Sequence, residues 1–330
     1  MTRPAGRRAV PVAAGFCTLL VWLLPVHAAP RTTIATFSIV AHDPATGELG
    51  VAVQSRFFAV GAAVPYAEGD VGAIASQAMG DPTFGPRGLT LLREGHSVQE
   101  TLELLLKDDP QREHRQVGII DAKGRTAVHT GSKCFGWAGH RTGPSFSVQG
   151  NILVSEGTVA AMEKAFTDTG GMLGERLLRA LEEGQKAGGD ARGMQSAAML
   201  IVKKGAGYGG TDRYCDLRVD DHAEPIQELR RIFTVWKVRA LTLEGYRLVE
   251  AKEFARAIAI GREAVALDPT SGMSQYNLAC FLSRAGKSQE ALQTLKGAIA
   301  RDPKVASWAA KDADLEPLHA DPEFKQLIGP

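Results

Sequence analysis

The chain has 330 residues, of which 38 are basic and 37 acidic, for a formal net charge of +1. That balance gives no electrostatic reason to expect nucleic acid or an anionic membrane surface as a partner. The length suggests about two domains.

Arg3, Arg7 and Arg8 precede an apolar stretch from Ala9 to Val26, which His27-Ala28-Ala29 closes. A basic start, an apolar core and a small-residue exit predict a secretory signal peptide over residues 1–28, with 29–35 as a pro-segment or linker. Pro11 and Pro25 interrupt the apolar run and argue against a spanning helix. Cleavage removes three arginines and no acid, so +1 becomes −2. The expected product is periplasmic or secreted, with no membrane insertion after processing. It keeps Cys134, Cys215 and Cys280, and an oxidising compartment permits one disulfide among them. No CxxC or His/Cys group has zinc spacing, so no metal or other cofactor is expected.

Residues 36–55, "TFSIVAHDPATGELGVAVQS", read as two strands around the turn Asp43-Pro44-Ala45-Thr46-Gly47. Phe37, Ile39 and Ala41 alternate with Ser38 and His42, and Val40 breaks the alternation. After the loop "SQAMGDPTFGPRG", helical patterns cover about 87–94 and 97–107. Ser97 and Glu100 form a capping box for the second. "RQVGIIDAKGRTAVHTG" reads as strand, turn, strand; "WAGHRTG" as a loop; "SFSVQGNILV" as a strand. Helices follow over about 156–166 and 172–187. "SAAMLIVKK" and "YCDLRVDD" are strands, and "PIQELRRIF" is a helix that starts on a proline. This order suits two sheets with helices on both outer faces.

A domain boundary is expected between residues 235 and 236. Beyond it, Asp268-Pro269 recurs as Asp302-Pro303, 34 residues later, and Gly245/Ala279, Ala257/Ala291 and Ala264/Ala298 share that shift. Small residues let paired helices approach closely, and the proline stops the second helix of each pair. A period of about 34 with these features is the tetratricopeptide signature. Residues 236–330 are therefore expected to form tetratricopeptide repeats with a C-terminal cap, offering a surface for a protein partner.

The stretches "TFSIVAHDPATGELGVAVQSRFFAVGAAVP", "DPTFGPRGLTLL", "WAGHRTG", "FSVQGNIL" and "DLRVDDH" resemble the bacterial and archaeal domain of unknown function 1028. That family has been assigned to the N-terminal-nucleophile hydrolase superfamily, whose fold proteasome β subunits share. The resemblance implies an α+β fold: a four-layer αββα sandwich over 36–235, followed by the all-α repeat module. It also implies hydrolysis of an amide bond in a small-molecule or peptide substrate. Thr36 would be the nucleophile and its own α-amine the base. Arg56 lies where proteasome subunits carry Asp-Ser-Arg and could hold down the pKa of that amine. Gln54 replaces the acid there, and no counterpart of the proteasome lysine is identified, which weighs against a protease.

Asn151 and Gln77 are candidate oxyanion or substrate donors, and His140-Arg141 is a candidate contact for an anionic substrate group. Each also has a plainer reading, as a strand-end amide or a satisfied structural side chain. Ser38 lies inside a strand and is a weaker nucleophile candidate. His129 reads as structural, and Asp220-Asp221-His222 as a solvated cap before Pro225. The rival to hydrolysis is a catalytically silent scaffold of the same fold.

Overall fold

A computed structural model describes residues 1–2 and 36–329. The expected signal peptide and pro-segment therefore lie, apart from Met1 and Thr2, outside the described residues. β1 (Thr36–Asp43) and β2 (Glu48–Ser55) form the expected hairpin in register, from Thr36↔Ser55 to Asp43↔Glu48. Its turn is held by Asp43, whose Oδ1 accepts from Ala45 N and whose carbonyl accepts from Gly47 N. Gly47 has φ +73°, a conformation that favours glycine.

The remaining strands are β3 (Pro65–Glu68), β4 (Gly72–Ala78), β5 (Arg115–Asp121), β6 (Thr126–Thr130), β7 (Trp137–Gly143), β8 (Phe146–Leu153), β9 (Ser196–Val202) and β10 (Arg213–Val219). They form a six-stranded sheet in the order β10-β9-β2-β1-β8-β7 and a four-stranded sheet in the order β3-β4-β5-β6. "WAGHRTG" is thus edge strand β7 and not a loop: it pairs antiparallel along β8.

Three apolar layers separate four layers of structure. On one outer side, Phe37 and Ile39 meet Met162 and Phe166 of α3 (Gly157–Asp168) and Leu177 and Leu181 of α4 (Leu173–Lys186). Between the sheets, Val40, Val51 and Val53 meet Ala73, Ala75 and Ile120. On the other outer side, Ile74 and Ile119 meet Phe84 and Leu89 of α1 (Phe84–Arg93) and Leu102 and Leu105 of α2 (Val98–Leu106). The result is an αββα sandwich. Every residue of β1 is buried, which accounts for Val40: a strand covered on both faces needs no polar face. The Ser97–Glu100 capping box is present at α2.

α5 (Pro225–Glu250) begins on its proline and runs unbroken through the expected boundary. Leu229 and Phe233 belong to the sandwich core, Leu248 and Val249 to the repeat core. α6 (Phe254–Leu267), α7 (Gly272–Arg284) and α8 (Ser288–Arg301) complete two helix pairs. Gly245, Ala257, Ala264, Ala279, Ala291 and Ala298 are all buried. A Cβ at Gly245 would lie 2.4 Å from the Phe281 ring, closer than side-chain atoms approach. Cys134, Cys215 and Cys280 are all free thiols, so the permitted disulfide is not formed. Burial pushes the Cys134 thiol up to about 11 and Cys215 and Cys280 higher still.

Candidate functional site

Side chains alternate along a strand, and directly opposed residues share a face. Phe37 lies on the helix side, so Thr36, Ser38, Val40 and His42 face the second sheet. Thr36 opens this row. It is fully buried, with Ser55 opposite it on β2 and Asn151 opposite it on β8. Its Oγ1 donates to Ser55 Oγ at 3.1 Å.

Around Thr36 and Ser38 the layer between the sheets is filled by side-chain amides, all without exposed surface. Gln77 of β4 lies opposite Gln116 of β5, and Gln149 of β8 lies opposite Ser38. Gln116 is the hub. Its NH2 group shares two hydrogens among three acceptors, the carbonyls of Gly150 at 2.8 Å and Gly139 at 3.2 Å and Thr130 Oγ1 at 3.0 Å. Its Oε1 accepts from Gln77 Nε2 at 2.8 Å and Asn151 Nδ2 at 3.0 Å. Ser38 Oγ donates to Gln77 Oε1 at 2.6 Å and accepts from Gln149 Nε2 at 2.7 Å. Gly118 of β5 leaves the room that the Gln149 amide occupies: a Cβ there would sit 2.6 Å from Gln149 Oε1.

One atom of this cluster is unpaired. Among the described residues Asn151 Oδ1 is buried with no hydrogen-bond partner, and an orphaned buried acceptor costs about 1–3 kcal/mol. The backbone is also unusual here. Ala78, directly after Gln77, has φ +67°, and Ile152, directly after Asn151, has φ +52°. A β-branched residue in the left-handed region is an outlier, and such strain concentrates at functional sites.

The sequence-predicted residues divide on this geometry. Thr36, Gln77 and Asn151 come together. Gln77 bonds to Gln116 and lies 3.4 Å from the Thr36 carbonyl. Asn151 sits beside Thr36, but its unpaired atom is an acceptor, whereas an oxyanion needs a donor. His140 touches only the margin: its Nδ1 meets Thr130 Oγ1 at 2.9 Å. Burial of the ring, and then the neighbouring His129, hold its pKa below the ordinary histidine value. Arg141 is not at the site. It follows His140 on β7, so it faces the other way and pairs with Glu156 and Glu163 at α3.

Arg56 is also directed elsewhere, its Nη1 donating to the Arg192 carbonyl at 2.8 Å. Gln54 lies opposite Phe37, on the helix side, and its position says nothing about the Thr36 hydroxyl. His129 meets the Arg112 carbonyl, and His222 accepts from Glu224 N, both structural roles. Sequence reading missed Gln116, Gln149 and Ser55. The available signal was polar residues two apart in strands buried on both faces, as at Gln149 and Asn151.

Fold and site together define a class: an αββα sandwich whose central strand opens on a buried threonine among amides, joined to helical repeats. Residues 36–229, more than half the chain, match a family of unknown function (DUF1028), and the chain belongs to that family. Residues 248–315 match the tetratricopeptide repeat. The chain is similar to the crystal structure of protein SPO2555 from Silicibacter pomeroyi, of the same family. The two are 33% identical with a TM-score of 0.56, over 60% of this chain and 84% of that one. No curated protein matches.

Proposed function

We propose that the chain is an exported amide hydrolase of the N-terminal-nucleophile type, with Thr36 as nucleophile in a form that begins at that residue. The observation that carries this reading is Thr36 itself: a hydroxyl at the head of the central strand, enclosed by neutral amides, with an unpaired acceptor opposite. In the 330-residue chain the Thr36 nitrogen is a peptide amide and cannot be a base. Freed, it is an amine with an ordinary pKa near ~8, within one residue of the hydroxyl.

The steps balance without a cofactor. Oγ1 attacks the substrate carbonyl carbon and its proton passes to the α-amine. The tetrahedral intermediate collapses, the C–N bond breaks, and the leaving amine takes that proton. Water then hydrolyses the acyl-threonine ester. The same hydroxyl can free its own amine by attacking the Ala35 carbonyl, shifting residues 29–35 onto oxygen for hydrolysis. The Arg3/Arg7/Arg8 start and the apolar 9–26 core support export, and the repeats support a protein partner.

A second reading, a silent binding scaffold, is favoured by one observation: among the described residues, the hydrogen-bond partner of Thr36 Oγ1 is the neutral Ser55. Intact-mass measurement and N-terminal sequencing of the exported protein decide between them. A chain that starts at Thr36, with hydrolysis of amides lost in Thr36→Ala, is the expected result. An active preparation that starts at Ala29 or Pro30, or full activity in Thr36→Ala, overturns the nucleophile role. Full-length protein retained in the cytoplasm overturns export.

A further inference from the structure

The two ends of a side-chain amide look alike in outline, so which end points where has to follow from hydrogen bonding. Here the orientation follows from the backbone. Carbonyls only accept, so the Gln116 atom at Gly150 O and Gly139 O must be its NH2 group. Gln116 therefore turns its Oε1 inward, where it can only accept. The two atoms that meet it, from Gln77 and Asn151, must then be NH2 groups. That leaves Asn151 presenting Oδ1, on the strand position directly opposite Thr36, with nothing among the described residues to accept from. The other branch agrees: Gln77 Oε1 accepts from Ser38, and Gln149 Oε1 accepts from Ser147.

A buried acceptor held this way awaits a donor. Resting on the nucleophile reading above, we propose that Asn151 Oδ1 receives the α-amine of Thr36 once that residue leads the chain. Gln116, a positioning residue, fixes the Asn151 amide so that its oxygen faces the amine. A free amine has donors that the peptide nitrogen lacks, so cleavage supplies the missing partner. A neutral acceptor also holds the amine in place without the strong upward pKa shift that a carboxylate would impose. The base is then left near neutrality, where a general base works best.

The elements around Thr36 present Ser55 from β2, Asn151 and Gln149 from β8, Gln77 from β4 and Gln116 from β5, all neutral. Among the described residues, the titratable groups that adjoin this cluster are engaged outside it. His140 connects only through Thr130 and Gln116. Arg56 bonds to Arg192 O, and Asp190 receives Arg56 N and the Arg192 side chain. Arg115, next to Gln116, pairs with Asp109 and caps the Phe84 ring on the α1 side.

The test needs no substrate. A fusion cut by a site-specific protease leaves Thr36 first in a chain that keeps every described element from β1 onward. Its α-amine pKa is read by 13C NMR after reductive methylation with labelled formaldehyde. Asn151→Leu should lower that pKa by about one unit, a tenfold shift in the ratio of ammonium to amine. The near-isosteric Asn151→Asp should raise it by at least as much. Gln116→Met, close in size and uncharged, cannot donate to Gly150 O, so it should loosen the Asn151 amide and move the value in the same direction as Asn151→Leu. An amine pKa unchanged in folded Asn151→Asp overturns the proposal, as does a value equal to wild type in folded Gln116→Met. If the natural chain is never cut before Thr36 the hydrolase reading fails, but this titration still reports whether Asn151 meets the amine.

Discussion

The row of β1 side chains that faces the second sheet runs from Thr36 to His42, and its two ends differ in kind. The Thr36 end holds Ser38, Ser55 and four amides, and among the described residues His140 reaches it only at the margin, through Thr130. The other end, about 20 Å away at strand rise, holds His42 with Asp43 and Asp121 close by. Glu48, across the hairpin, is raised by its burial, against the pull of Lys203. Val40 with Val51 and Val53 separates the two. The ordinary titratable chemistry of the layer sits away from the threonine. Among the described residues no titratable side chain bonds directly to Thr36, Ser38 or the four amides, and His140 meets them only through Thr130, so a chain terminus at Thr36 would place a charge directly among them.

The comparison can be broken most forcefully at Gln116. Gln116→Leu leaves Asn151 Nδ2 without its partner and uncovers two backbone carbonyls. At about 1–3 kcal/mol per buried orphan, it should cost roughly 3 kcal/mol or more in denaturant unfolding at any pH. A control lies in the repeats, which touch neither end. Ala291→Leu overpacks the α7–α8 crossing and should cost about 1–3 kcal/mol, with the α-amine titration unchanged. If stability is unchanged, Ala291 is not at a tight crossing.

The His42 end should respond to pH. Burial lowers the His42 pKa against the opposing charges of Asp43 and Asp121, and its Nδ1 is buried and unpaired. The folded state thus prefers neutral imidazole. As pH falls through about 6.5, unfolded chains take up the proton first. Stability should drop from there and level off below the lowered folded value. His42→Asn should flatten that slope, and Asn151→Leu should leave it intact. A slope that survives His42→Asn assigns the response to another group. The smallest effect is expected at Ile152. Asn tolerates its left-handed backbone, so Ile152→Asn should raise stability by less than about 1 kcal/mol.

Much of the fold was legible because its signals are local. The hairpin turn, the capping box at Ser97 and the 34-residue period each depend on neighbours in the chain. The site was legible only where one residue sufficed, as at Thr36. His140 and Arg141 were read as a pair in a loop, but adjacent strand residues face opposite ways, so only His140 reaches the cluster. Gln54-Ser55-Arg56 was read as a triplet for the same reason, although only Ser55 turns toward Thr36. Gln116 stayed hidden because nothing in "RQVGIID" tells which distant carbonyls will orient it. That depends on β8 crossing above β5.

The unbroken α5 has a mechanical consequence. Its first turns are fixed in the sandwich core by Leu229 and Phe233, and its last turns in the repeat core by Leu248 and Val249. A rod of about 39 Å at helical rise, clamped at both ends, has no hinge at residue 235. A partner that twists the repeats therefore applies torque to the layer that backs β1. Pulled from its two ends, the protein should give way with sandwich and repeats rupturing together, not one after the other.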